Sequence, residues 1–291
     1  MNYTLVIHGG AGARPSINYA EQRPHLADLI ARGQEMLAAG GSALDTVDTM
    51  VQAMEVSGLY VAGKGSAPNK DGVVELDASI MDGAARRSGA IAAIRNCVHP
   101  IVVARRVMDD GEQVMLAGQG ACSFATEIAA EMVADPDRYY TDHVNHRPTD
   151  EPGVQHGTVG AVALDQAGNL AAATSTGGTF DKRPGRVGDT PLIGAGTWAD
   201  ERVAVSCTGA GEYFIRAGAA HDVSARMRYG GNSLEEAVAA TLADIKSLGG
   251  DGGIIAVDQA GTIAMPYNSK GMKRAAVSNS MAPVVRIFEP E

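Results

Sequence analysis

The segment Gly157–Gly178, GTVGAVALDQAGNLAAATSTGG, contains the pattern from which the architecture of this chain is predicted. Two apolar runs flank a turn at residues 166–169, and this arrangement is typical of a β-hairpin. The first strand begins with Thr158, directly after Gly157. A threonine hydroxyl can attack a carbonyl carbon, and its own α-amine can serve as the base once the preceding chain is removed. From the hairpin alone, an ordinary β-branched strand residue is the simpler interpretation.

The composition of the chain argues against several classes of function. The chain has 291 residues, 45% of them apolar, enough for one large domain or two small ones. A formal net charge of −10 argues against nucleic acid and anionic membrane surfaces as partners. No apolar run reaches the roughly 18 residues of a membrane-spanning helix, and the first residues do not resemble a signal peptide. Three widely spaced cysteines, Cys97, Cys122 and Cys207, predict no disulfide framework and favour a cytoplasmic location.

Two other ligand classes are not expected. The glycine cluster at residues 8–13 follows a predicted strand, but Arg14-Pro15 stands where a dinucleotide-binding motif needs its third glycine and a helix. Asp142, His143 and His146 lie in a polar, proline-containing segment, residues 135–155, that is typical of an exposed linker. Two histidines without a further histidine or cysteine nearby do not match a zinc site.

The rest of the chain combines pairs of helices with runs of strands. Helices are predicted at residues 21–39, from Ser42 onward, and at 100–108, 122–133, 212–229 and 233–248. Besides the central hairpin, strands are predicted at residues 3–7, 75–81, 88–95, 113–117, 202–206, 254–257, 262–265 and 284–288. The turn at residues 258–261 repeats that at 165–168, so the two hairpins are predicted to be neighbours. This order favours antiparallel sheets stacked between helical layers.

Spaced motifs then identify a family. The densest are Gly157–Asp165, Ala173–Gly178, Pro184–Pro191 and Ser206–Glu212, joined by His8–Gly12, Gly41–Asp45, Glu75–Gly83 and Gly249–Gly253. Together they resemble the isoaspartyl peptidase/L-asparaginase family of N-terminal-nucleophile hydrolases over nearly the whole chain. The resemblance implies an α+β fold, a four-layer αββα sandwich formed by residues 1–291 as a single domain.

The resemblance also implies self-cleavage between Gly157 and Thr158, giving an α subunit of residues 1–157 and a β subunit of residues 158–291. The α subunit would end in a linker of about residues 135–157. Gly157 suits this position because glycine adopts strained backbone angles at low steric cost. Thr158 would be the nucleophile, and Thr176 would support it through hydroxyl hydrogen bonds. The alternative for Thr176 is a strand-end residue that bonds only its own turn.

Further site residues follow from the resemblance. Thr208 and Gly209 match the oxyanion site, where a main-chain N–H and a hydroxyl meet developing negative charge. Arg186 and Asp189 match the residues that hold the substrate α-carboxylate and α-ammonium. The same pocket includes Val187, Gly188, Ala210 and Gly211. The alternative for Arg186 and Asp189 is a surface ion pair with each other, which would contribute little.

No organic cofactor is implied. The family holds a structural sodium ion, here expected on the backbone carbonyls of Met54, Glu55, Ser57, Tyr60, Ala62 and Lys64. A dimer of cleaved α–β pairs is the implied assembly, with a small-molecule or dipeptide substrate as the other partner.

The implied activity is hydrolysis of the side-chain amide of β-aspartyl dipeptides and, less well, of L-asparagine. Val61 replaces the asparagine usual in the family, which bears on the choice between these two substrates. Competing functions are an aspartylglucosaminidase-like or threonine-aspartase-like amidase, and a non-catalytic homologue that binds aspartate.

Overall fold

Two β-sheets form the centre of the molecule. A computed structural model of the chain describes residues 2–140 and 157–289. The larger sheet contains β1 (Thr4–Ala11), β2 (Leu76–Asp82), β3 (Arg87–Ile94), β4 (Met115–Ala117), β5 (Val159–Leu164), β6 (Leu170–Thr176), β11 (Met272–Ser278) and β12 (Met281–Arg286). The smaller sheet contains β7 (Thr197–Ala199), β8 (Val203–Gly209), β9 (Gly252–Asp258) and β10 (Ile263–Ala264). The spatial orders are β12-β11-β1-β5-β6-β2-β3-β4 and β10-β9-β8-β7.

Helices cover the outer face of each sheet. They are α1 (Gln22–Ala38), α2 (Ala43–Ser57), α3 (Pro100–Asp110), α4 (Gly118–Glu127), α5 (Pro136–Tyr139), α6 (Gly211–Ala217), α7 (Ala219–Gly230) and α8 (Leu234–Ser247). Among the described residues, no helix has the length and apolarity needed to cross a lipid bilayer. The predicted linker continues into residues 141–156, which lie outside the described residues, as do Asp142, His143 and His146.

Side-chain alternation along the strands produces the layers. Leu5 of β1 and Ala161 of β5 pack with α1, α2 and α3, whereas Val6 and Val162 face the opposite way, toward Ile255 of β9. The outer face of the smaller sheet packs against α6, α7 and α8 in a further apolar cluster. Since each sheet buries one face on helices and the other on its partner sheet, the predicted αββα sandwich is confirmed.

The predicted central hairpin is present as β5 and β6, in the middle of the larger sheet. Its turn is held by Asp165, whose carboxylate accepts hydrogen bonds from the N–H groups of Ala167 and Asn169, each at 2.9 Å. The same carboxylate accepts from the N–H of Ala43, the first residue of α2, at 3.0 Å. The turn is therefore tied to the helical layer as well as to itself.

Several element predictions need correction, and β7 and α5 were not predicted. The helix predicted at residues 212–229 is broken at Gly218, which adopts a left-handed conformation with φ of 57°. The helix predicted at 122–133 ends at Glu127, because the following segment turns back and the Val133 N–H donates to the Asn96 carbonyl. β11 was not predicted, because buried Lys273 and Arg274 interrupt its apolar pattern.

The two similar hairpins are neighbours, as predicted, but they do not pair edge to edge within one sheet. β5–β6 belongs to the larger sheet and β9–β10 to the smaller one. They face each other across the sandwich, where Val162 and Leu170 share an apolar cluster with Val257 and Ile263. The repeated turn sequence thus marks equivalent hairpins on opposing sheets.

Replacing Asp165 by alanine is expected to destabilise the protein more than replacing Asp258, its counterpart in the β9–β10 turn. Asp258 accepts from two N–H groups of its own turn, those of Ala260 and Thr262, while Asp165 also serves the buried N–H of Ala43. An unsatisfied buried donor costs about 1–3 kcal/mol. Urea denaturation of the two variants measures the difference, and equal losses would contradict the anchoring role of Asp165.

Candidate active site

The ends of β5 and β6 bring two threonines together. Val159 pairs with Ser175, so Thr158 and Thr176 lie side by side where the strands end. The Thr158 hydroxyl donates to Thr176 Oγ1 at 3.3 Å, and both side chains are buried.

The Thr176 hydroxyl connects Thr158 to the peptide bond that precedes it. It donates to the carbonyl oxygen of Gly157 at 2.6 Å and accepts from the Gly178 N–H at 2.9 Å. Thr176 therefore bonds its own turn and also reaches the Gly157–Thr158 linkage. A hydrogen bond to a carbonyl oxygen stabilises the negative charge that develops there when a nucleophile attacks the carbonyl carbon.

Gly157 closes the cavity beside Thr158. This cavity has a volume of about 10 Å³, and Gly157 itself lines it together with Thr158, Thr176, Asp189 and Gly209. Such a volume accommodates at most about one water molecule. A side chain at position 157 would collide with Val61. In the continuous chain there is therefore no room for an aspartyl group.

Arg186 lies beside this cavity and is held by Glu212. Its Nε and Nη2 donate to the two carboxylate oxygens of Glu212, each at 2.9 Å. Arg186 therefore forms its ion pair with Glu212. The alternative predicted from the sequence, a pair of Arg186 and Asp189 with each other only, is not present. Nη1 lies next to two residues that line the cavity: a Cβ on Gly188 would lie 2.9 Å from it, and one on Gly178 3.5 Å.

Asp189 is a buried carboxylate with unused hydrogen-bonding capacity. Burial raises its pKa to about 7, and the charge of nearby Arg186 offsets part of that shift. Its Oδ2 has no hydrogen-bond partner among the described residues. Gly211 leaves it space, because a Cβ there would lie 2.7 Å from Asp189 Oδ1. A buried carboxylate with a free oxygen in a cavity is suited to an ammonium ligand.

Thr208 and Gly209 end β8 on the other side of the cavity. Gly209 lines it, whereas Thr208 lies just behind and its Oγ1 accepts from the Ala11 N–H at 3.0 Å. Among the hydrogen bonds of the described residues, the Thr208 hydroxyl accepts but does not donate. Half-buried Val187 and Ala210 flank the lining residues without belonging to them.

Sequence reasoning missed several residues around the site. Thr179 and Thr190 line the cavity, and the buried Thr190 hydroxyl has no partner among the described residues. Lys182 is buried behind Gly178 and donates to the Glu75 carbonyl at 2.6 Å, and burial lowers its pKa. Thr190 directly follows Asp189 in the motif Pro184–Pro191, so its place at the site could have been predicted from the sequence. No local pattern distinguishes Lys182 from a surface lysine.

The segment proposed for sodium lies at the end of α2. The carbonyl oxygens of Met54, Tyr60 and Ala62 accept hydrogen bonds from Ser57, Ala62 and Gly65, respectively. Gly63 packs against the Glu55 carbonyl in a short 3₁₀ turn, residues 63–65. Carbonyl oxygens have two lone pairs and suit a hard cation. Within residues 2–140 and 157–289 there is no cluster of three or more histidine, cysteine, aspartate or glutamate residues for another metal.

The αββα layers and a threonine opening a central strand define the class of N-terminal-nucleophile hydrolases. The family model described as Asparaginase matches residues 1–287. The isoaspartyl peptidase of Salmonella typhimurium is 44% identical over 93% of this chain and 94% of its own length. That of Escherichia coli is 44% identical over 93% and 91%, and the isoaspartyl peptidase/L-asparaginase of Bos taurus is 40% identical over 96% and 94%. The chain belongs to the asparaginase family, and the resemblance is confirmed.

Proposed function

We propose that this chain is a self-cleaving threonine hydrolase that cuts the side-chain amide of β-aspartyl (isoaspartyl) dipeptides and, less efficiently, of L-asparagine. The observation that carries the proposal is the hydrogen-bond chain from the Thr158 hydroxyl through Thr176 to the Gly157 carbonyl oxygen. Family membership and the names of the relatives support the substrate class.

Self-cleavage begins when Thr158 Oγ attacks the carbonyl carbon of Gly157. Thr176 stabilises the carbonyl oxygen, the Gly157–Thr158 C–N bond breaks, and the hydroxyl proton ends on the departing nitrogen. Water then hydrolyses the resulting ester, which frees the Gly157 carboxylate and regenerates the Thr158 hydroxyl beside the α-amine that is already released. Residues 1–157 and 158–291 become two chains of one domain, and departure of Gly157 opens the cavity.

Substrate hydrolysis uses the same hydroxyl with a new base. The Thr158 α-amine takes the proton of Oγ as it attacks the substrate β-amide and gives it to the leaving amine. The oxyanion is stabilised by the N–H of Gly209, which lines the cavity, and by the hydroxyl of the adjacent Thr208. Water then releases aspartate from the acyl-enzyme.

Recognition depends on the two ends of the aspartyl group. The Nη1 atom of Arg186, beside the cavity, takes the α-carboxylate, while Glu212 holds the guanidinium from outside. Asp189 takes the α-ammonium, with the unpartnered Thr190 hydroxyl next to it. Val187, Gly188, Ala210 and Gly211 form the surrounding main chain.

Three further properties belong to the proposal. A sodium ion on the carbonyls of residues 54–64 would fix the loop that carries Val61. The free thiols, with Cys97 and Cys207 buried, support a reducing, cytoplasmic location. The assembly is a dimer of cleaved α–β pairs.

The competing functions predict different behaviour. A non-catalytic aspartate-binding protein would remain a single chain, in which the cavity lined by Gly157 has a volume of only about 10 Å³. A preference for glycosylated asparagine or for a protein chain would appear as low activity on β-aspartyl dipeptides.

Purified protein is expected to consist of two pieces, residues 1–157 and 158–291. Thr158→Ala should remain a single chain. Thr176→Val should cleave more slowly, on the order of 10²–10³-fold, because it removes one donor from the carbonyl under attack. Intact mass measured over time tests this, and cleavage of Thr158→Ala at the same bond would refute the nucleophile assignment.

Affinity for L-aspartate is expected to fall as the pH drops below about 7. Burial raises the pKa of Asp189 to about 7, so below that pH its carboxyl becomes neutral and loses its attraction for an ammonium group. Well below the pKa, the dissociation constant should rise about tenfold per pH unit. Calorimetric titration across pH 5–8 measures it. Asp189→Asn should bind weakly without this dependence, and an identical pH profile in that variant would exclude Asp189 as its source.

Val61 bears on the choice of amide. It is buried against Gly157, and its carbonyl accepts from the Gly177 N–H at 2.9 Å. Its side chain offers no hydrogen-bonding group where the family has asparagine. Asn69 does not replace that amide, because it donates to Glu75 at 3.0 Å. The buried Ser66 hydroxyl has no partner among the described residues and is the remaining candidate donor.

Val61→Asn is expected to raise kcat for L-asparagine, with an upper bound on the order of 10²–10³-fold if the amide acts as an oxyanion donor. The gain for β-aspartyl-leucine should be smaller, because its second residue supplies binding energy that L-asparagine lacks. Rates are compared per cleaved molecule, with Ser66→Ala as the control for the alternative donor. L-asparagine as the better wild-type substrate, with no gain in the variant, would contradict the hypothesis.

A further inference from the structure

Five fully buried polar side chains form a continuous hydrogen-bonded chain between the two sheets. Ser79 Oγ lies 2.6 Å from the Thr190 carbonyl oxygen and 2.8 Å from Thr197 Oγ1. Thr197 Oγ1 lies 2.6 Å from Thr174 Oγ1, and Thr174 lies 2.7 Å from Ser206 Oγ. The last contact joins Ser206 to the Nε2 atom of His8 at 3.0 Å.

A hydroxyl group both donates and accepts, so each of the four can take part in two contacts of the chain. The Ser79 hydroxyl donates to the Thr190 carbonyl oxygen and to Thr197 Oγ1, and the Thr197 hydroxyl donates to Thr174 Oγ1. Burial lowers the pKa of His8 to about 3, although the adjoining main chain of Thr158 opposes the shift, so the ring is neutral.

The two ends of the chain adjoin the two halves of the site. At one end, Ser79 holds the carbonyl of Thr190, which directly follows Asp189. Gly196, next to Thr197, packs against the Asp189 carbonyl so closely that a Cβ would lie 2.5 Å from it. At the other end, His8 pairs with Gly160 of β5, two residues after Thr158, and a Cβ on Gly160 would lie 2.4 Å from His8 Nε2.

On three strands, the inner face changes from apolar to polar toward the end where the site lies. Along the inner face of β6, Leu170 and Ala172 belong to the apolar cluster, and Thr174 follows two residues later. β8 likewise changes from Ala204 to Ser206, and β1 changes from Val6 to His8.

Buried hydroxyls are costly unless fully bonded, and an apolar interface would suffice to join the sheets. The position of these polar residues, at the end of the sheet interface nearest Thr158 and Asp189, therefore indicates a role at the site.

We propose that Ser79, Thr197, Thr174, Ser206 and His8 are positioning residues that hold the Asp189–Thr190 main chain at a set distance from Thr158. This distance determines how well the α-ammonium of the substrate reaches Asp189 while the β-amide lies beside the Thr158 hydroxyl. This inference rests on the proposed function, and it adds residues that touch neither substrate nor reacting atoms.

The test is Thr197→Val, which removes one of the two inner hydroxyls of the chain and preserves side-chain shape. We expect both the KM for a β-aspartyl dipeptide and the dissociation constant for L-aspartate to rise on the order of tenfold, the loss for one broken buried hydrogen bond. Thr197→Ser should restore both values. A loss of folded protein alone lowers the maximal rate without changing KM.

Thr241→Val is the matched control. Thr241 is equally buried and hydrogen-bonded, to Asp222 and the Ala237 carbonyl, but it lies on α8 in the outer helical layer. This variant should lose stability with unchanged KM and aspartate affinity. An equal rise in KM for Thr241→Val and Thr197→Val would overturn the proposal.

Ser79→Ala and Ser206→Ala provide a second test that does not depend on Thr197→Val folding. These serines do not bond each other, but they belong to one chain, so the double variant should cost less than the sum of the two single ones. Additive effects, or unchanged KM in both single variants, would refute the positioning role. If wild-type protein cleaves but neither turns over β-aspartyl dipeptides nor binds L-aspartate, the proposed function fails instead, and the positioning role falls with it.

Discussion

The pairing of β5 with β6 is the constraint on which the site depends. Opposite Val159 stands Ser175, whose hydroxyl points to the helical side and donates to buried Glu55 at 2.6 Å. Thr176, one residue later, points to the inner side and reaches Gly157. A slip of one residue would exchange these two faces, because side chains alternate along a strand. Register thus decides which hydroxyl meets the Gly157–Thr158 bond, and Asp165 ties the turn that sets this register.

Glycines let the main chain approach the site from several directions. A side chain at Gly157 would meet Val61, one at Gly211 would meet Asp189, and one at Gly209 would meet Phe214 and the Asp251 carbonyl. Close approach lets main-chain groups, in addition to side chains, line the cavity beside Thr158. The high glycine content is therefore partly a property of the site.

The site also contains polar groups whose bonding is incomplete in the continuous chain. Asp189 Oδ2 and the Thr190 hydroxyl are buried without hydrogen-bond partners among the described residues. Buried groups of this kind reduce stability, and they are expected where a ligand completes the bonding. Arg186 shows the complementary arrangement, since Glu212 fixes its guanidinium and leaves Nη1 beside the cavity.

Local patterns allowed much of the fold to be predicted from the amino-acid sequence. The central hairpin and the helices predicted from Ser42 and from residue 233 are present, and Ser42 and Ser233 cap those helices through contacts within a few residues. β11 escaped prediction because the partners of its buried cations, such as the Tyr267 ring under Arg274, are not visible in a strand pattern.

The same distinction holds for the site. Thr158, Thr176, Arg186 and Asp189 lie in motifs that identify the family, so they could be named from the sequence. The pairing of Arg186 with Glu212, the burial of Lys182 and the hydroxyl chain were decided by the tertiary structure. His8 and Ser206 lie 198 residues apart along the chain and meet through the stacking of two sheets. Local periodicity reports which face of a strand is buried, whereas the packing of the sheets determines which polar groups meet on that face.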